Sequence, residues 1–90
     1  MKITKKQINE YLKGQDVEGV LLADGLEGAF IGLSNDDFRK PCAVYDRNKC
    51  IEILMEDMTR DDAEEHFQFN TAGAWVNDQT PIFVSIPYWR

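Results

Sequence analysis

The chain has 90 residues, a formal net charge of −6, a sequence pI near 4.6 and 43% hydrophobic content. This length holds one domain, and ten aromatic residues with that apolar fraction exclude intrinsic disorder. The acidic balance argues against direct binding to nucleic acid, and no apolar run reaches the roughly 18–20 residues needed to span a bilayer.

Lys2, Lys5 and Lys6 lead into polar residues instead of an apolar signal core, so a cytoplasmic location is expected. Thr4 is placed to cap a first helix, Gln7 to reach back to the cap amide, and Ile3 to pack on Ile8 as a hydrophobic staple. Ile8, Tyr11 and Leu12 share the apolar face, and Gly14 is the expected stop. The period of residues 17–23 is ambiguous between strand and helix, and a helix or turn is favoured there. Asp24-Gly25 reads as a turn before a buried strand, Ala29-Phe30-Ile31-Gly32-Leu33, bracketed by Gly25, Gly28 and Gly32. A surface loop from Ser34 to Pro41 follows.

Ala43-Val44-Tyr45 is a second strand, and Asp46 suits the N-cap of a helix over about 47–57. Cys50, Ile51, Leu54, Met55 and Met58 recur along it at helical spacing, widened by Ile53. Thr59 opens another helix in a capping-box-like start, with Asp61 and Asp62 at the positive end of its dipole. Ala63, Phe67, Asn70 and Ala74 form its predicted inner line. Asn70 should then be buried and hydrogen-bonded to backbone, with Gly73 limiting or kinking the helix. After a turn over residues 77–80, Pro81 introduces a last strand on which Ile82, Val84 and Ile86 share one face. Phe30, Phe67, Phe69, Trp75 and Phe83 are spaced as core residues. The expected fold is a single α+β domain over residues 1–90, about three short strands in one sheet packed by three helices.

No catalytic, cofactor-binding or metal-binding residue is assigned. Two cysteines and one histidine (Cys42, Cys50 and His66) are too few and too scattered for a structural zinc site. Neither Asp24-Gly25 nor Asn35-Asp36-Asp37 has the spaced oxygen ligands of a calcium loop, and the glycines precede a strand instead of the helix a phosphate loop requires. Cys42 and Cys50 are expected as buried, reduced thiols. Burial raises a thiol pKa, so a Cys50–His66 nucleophile is the least favoured reading.

Charge is the surface feature that stands out. Residues 50–78 carry eight acids against one base, Arg60, a formal −7, whereas the N-terminal stretch is basic. Such acids serve either as a solubilising face or as a ligand for basic grooves in proteins that hold DNA or RNA. The candidate partner-binding residues are Glu56, Asp57, Asp61, Asp62, Glu64 and Glu65, joined by Tyr88 and Trp89 at the C-terminus. Tyr and Trp are frequent binding hot spots.

Three motifs share an order and spacing: Asp24-Gly25-Leu26-Glu27-Gly28-Ala29-Phe30-Ile31-Gly32, Tyr45-Asp46-Arg47-Asn48-Lys49-Cys50-Ile51-Glu52-Ile53-Leu54 and Phe69-Asn70-Thr71-Ala72-Gly73-Ala74-Trp75-Val76. Over roughly residues 24–84 the chain resembles a family of small accessory proteins of tailed bacteriophages, to which no catalytic residue is assigned. The resemblance implies a phage protein acting inside an infected bacterium. The expectation is a non-catalytic protein that binds and inhibits a host protein, with counter-defence inhibition (anti-CRISPR or anti-restriction) as the favoured subtype and a nucleic-acid-binding effector as its target. The alternative is a modulator of a replication or transcription protein acting through an apolar C-terminal surface, and the third is a small enzyme using Cys50 and His66.

Overall fold

The computed structural model describes residues 3–72 and 76–87. Helix α1 spans Lys5–Gly14 and opens with both halves of a capping box: the Gln7 amide donates to the Thr4 hydroxyl at 3.2 Å, and the Thr4 amide donates to Gln7 Oε1 at 2.8 Å. Ile8 and Leu12 are buried, while Tyr11 remains 41% exposed. The helix runs through Gly14, and the residue that turns left-handed beyond it is Asp16, at φ 54°.

Residues 17–23, expected as helix or turn, form neither and have no regular structure. Their backbone groups are satisfied at a distance: Leu21 N–H donates to the Gln79 carbonyl at 3.4 Å, and Ala23 N–H to the Tyr45 hydroxyl at 2.9 Å. Partners that far along the chain leave no local periodicity.

A short 3-10 turn, Glu27–Ala29, leads into β1, Phe30–Leu33. Strand β2, Ala43–Asp46, pairs with β1 antiparallel, with Phe30 opposite Tyr45 and an irregularity between Phe30 and Gly32. Strand β3, Ile82–Val84, pairs with the other edge of β2 in parallel, Tyr45 lying opposite Phe83. A parallel neighbour demands a long crossover, and helices α2, Arg47–Leu54, and α3, Arg60–Phe67, supply it.

Asp46 caps α2, its carboxylate accepting from the Lys49 amide at 3.2 Å. The helix ends at Leu54, short of the expected residue 57, because Glu56 and Asp57 bond back only three residues, to the Ile53 and Leu54 carbonyls. Thr59 caps α3 by accepting from the Asp62 amide at 3.2 Å, which is half of the expected capping box.

The core lies between the sheet and α2–α3, around Tyr45, Cys50, Ile51, Ala63 and Phe67, all at most 1% exposed. Aromatic rings run through it without a break. Phe30 meets Tyr45 at 5.7 Å between centroids, Tyr45 meets Phe83 at 5.6 Å, and Phe83 meets Phe67 edge-on at 4.9 Å. In β3 it is therefore Phe83 that packs inward, and Ile82 is 37% exposed.

Beyond Phe67 the helix widens into a π-helical turn, Gln68–Ala72. An α-helical projection through residue 74 assumes an unbroken period, and the π turn breaks it. Two sequence expectations are overturned, the first because the π turn takes Asn70 off the inner line, the second because Phe69 stands three and four residues beyond His66 and Glu65 on the outer side of the helix. Asn70 is exposed instead of buried, and Phe69, expected in the core, is 75% exposed. Trp75, also expected in the core, lies outside the described residues.

Candidate functional site

Inner and outer rows of α3 have separate fates. Ala63 and Phe67 bury completely and fix the helix to the core, where the Arg47 guanidinium lies 5.2 Å from the Phe67 ring centroid. The outer row, Asp62, Glu65 and His66, then Phe69, follows at the three- and four-residue steps that align side chains along a helix. With Met58 and Asn70 these side chains line a shallow depression of about 440 Å³. Asn70 Nδ2 lies 3.5 Å from His66 Nδ1 across its wall.

The six acids proposed as partner-binding do not act as one group. Glu64 is engaged in ion pairs, 3.6 Å from Arg47 and 4.0 Å from Arg60, which removes it from the unbalanced charge. Asp62 and Glu65 rim the Phe69 depression, and Asp61 is exposed in the first turn of the same helix. None of these three has an ion-pair partner among the described residues. Glu56 lines a different depression, with Glu27, Glu52 and Lys49, and Asp57 is exposed in the turn between the helices. Tyr88 and Trp89 lie outside the described residues.

Cys42 and Cys50 are buried and unpaired, as expected. Burial, aided by the nearby Asp46 carboxylate and opposed by Arg47, pushes the Cys50 thiol up to about 12. A thiol held protonated in this way is a poor nucleophile. The Cys42 thiol donates to the Asp78 carbonyl at 3.1 Å, and His66 is exposed on α3. Among the described residues no cluster of three or more His, Cys, Asp or Glu side chains is arranged to hold a metal ion. Nor is any described helix long and apolar enough to cross a membrane.

Two exposed aromatics escaped the sequence reading. Phe69 carries a signal in its spacing, three and four residues beyond the polar His66 and Glu65. Phe38, 96% exposed, sits in the β1–β2 loop, where the Asp36 carboxylate accepts from the Phe38 amide at 2.9 Å and from Arg39 Nε at 3.0 Å. An aspartate two residues before an aromatic in a polar loop is the one sequence signal that pointed to that turn.

Fold and surface together define a small α+β domain whose most distinctive exposed feature is an acid-rimmed aromatic patch at the end of α3. No protein-family model, curated protein or solved structure matches the chain.

Proposed function

We propose that the chain is a non-catalytic phage accessory protein that binds and inhibits a host protein in the bacterial cytoplasm. The favoured activity is counter-defence, with the acids of α3 occupying the nucleic-acid-binding groove of a restriction or CRISPR effector. One observation carries this reading: Asp61, Asp62 and Glu65 are exposed and without a cationic partner among the described residues, on a helix whose opposite face is fixed in the core. Carboxylates displayed from a rigid element lose little entropy on binding, and they attract a groove built to hold phosphates. The phage setting rests on the three-motif resemblance. The raised pKa of Cys50 weighs against the enzymatic alternative.

The test is phage plating on bacteria that express the chain alongside an active restriction or CRISPR system. Protection of a susceptible phage is expected. Reversing Asp61, Asp62 and Glu65 together to lysine should abolish it while the chain stays folded, with a modest fall in thermal stability because Asp61 and Asp62 leave the positive end of the α3 dipole. Protection that survives this reversal but is lost with Trp89→Ala would move the binding surface to the C-terminus and favour a modulator of replication or transcription proteins.

A further inference from the structure

Phe69 is three-quarters exposed in a chain whose other large aromatics in α3 and β3 pack inward. The outer row of Asp62, Glu65 and His66, continued by three- and four-residue steps, puts it there, within a π turn of a kind that recurs at functional sites in helices. The depression beside it is lined by Phe69 and the half-buried Met58 together with the polar side chains of Asp62, Glu65, His66 and Asn70. Methionine gives such a surface the ability to adapt to different apolar side chains. An exposed aromatic beside a thioether, flanked by two carboxylates and by the polar His66 and Asn70, has the anatomy of an interface centre with a polar rim.

We propose that this depression seats a single large apolar side chain, such as leucine, presented between arginine or lysine residues on a segment of the partner protein. The inference rests on the acidic-surface reading above and names the chemistry of what that surface binds. Charge complementarity selects the occupant. A nucleic acid would bring phosphates to two carboxylates that have no ion-pair partner among the described residues, and a second copy of this chain, with a formal charge of −6, would approach against net repulsion even though its N-terminal stretch is basic. The apolar lining of the depression is limited to Phe69 and Met58, which offers contact to one apolar side chain and not to a whole apolar helix face. Phe69 then acts as anchor, and Asp62 and Glu65 set the orientation and speed of approach.

Two synthetic peptides of equal length and charge test this, one with a leucine between arginines and one with serine at that position. Each is titrated into the full chain by calorimetry at low salt. The leucine peptide should bind at least ten-fold more tightly. Phe69→Ser should erase that difference, whereas Phe38→Ser, which removes a still more exposed aromatic in the β1–β2 loop, should preserve it. Asp62→Asn combined with Glu65→Gln should weaken both peptides alike, and circular dichroism should confirm that every variant is folded. Equal binding of the two peptides, or a difference that persists in Phe69→Ser, overturns the anchor; loss of binding in the double acid variant would then still support the acidic surface. If neither peptide binds, the anchor falls and the plating experiment judges the acidic surface separately. A concentration-dependent dimer abolished by Phe69→Ser would give the patch to a second copy and overturn the proposal.

Discussion

Two amide side chains, in the turn before β3 and at the end of α3, meet opposite fates. Gln79 is 8% exposed, and its Nε2 donates to the Glu18 carbonyl at 2.8 Å and to the Pro41 carbonyl at 3.1 Å, binding three distant stretches of chain together. The backbone closes around it. Gly19 sits at φ +76°, and a Cβ there would lie 2.6 Å from Gln79 Oε1. Asn70 by contrast is exposed and makes one long contact, 3.5 Å, to a histidine in its own helix. The region around Gln79 spends its polar atoms on the fold, and the end of α3 leaves its polar and aromatic groups facing outward. Stability thus rests on one part of a very small domain, and the proposed recognition on another.

The contrast can be broken most severely from inside. Phe67→Ala removes a 1% exposed ring that packs on Phe83 and lies beside Arg47, and should cost about 3–5 kcal/mol in chemical denaturation. Gln79→Leu should cost about 2–4 kcal/mol by the same measurement, since it leaves the Glu18 and Pro41 carbonyls without their donor. A neutral outcome there would mean that water replaces the clasp.

Alkaline pH probes the same interior more gently. The folded-state pKa of Cys50 is raised from about 9 to about 12, so the folded chain holds a proton that the unfolded chain has already lost in that interval. Stability is therefore complete below pH 9 and falls as pH rises toward 12, by on the order of 1 kcal/mol at pH 10 from this group. Burial raises Tyr45 as well, against its hydrogen bond from Ala23, and adds to the decline above its ordinary value of 10. Cys50→Ala should flatten the slope between pH 9 and 10, and an unchanged slope would assign it to another group. The smallest effect belongs to Asn70→Leu, which should stay within about 0.5 kcal/mol of the parent chain. A loss of 1–3 kcal/mol would show that Asn70 satisfies a buried backbone group after all.

What the sequence revealed follows the range of the interactions. The caps at Thr4, Asp46 and Thr59 were legible because each is closed within three residues, and the three strands and three helices followed from those signals and the apolar periods. Residues 17–23 were not legible, because the groups that hold them are Gln79 and Tyr45, far along the chain. Gln79 itself gave no sign, since a polar residue in a turn is ordinarily exposed. Asn70 projects onto the inner face only if the α period continues, and the π turn breaks it, whereas the exposure of Phe69 is legible in its spacing from Asp62, Glu65 and His66. The acids were found as a group, yet only the structure separates Glu64, held by Arg47 and Arg60, from Asp61, Asp62 and Glu65.

The separation of stability from recognition is tested most directly at Phe69, two residues from the buried Phe67. Guanidinium denaturation of Phe69→Ser, measured beside the parent chain, should give unfolding free energies within about 0.5 kcal/mol of each other, as expected of an exposed side chain with no structural duty. A loss of 3 kcal/mol or more, comparable to that of a buried aromatic, would place Phe69 in the core and contradict the account.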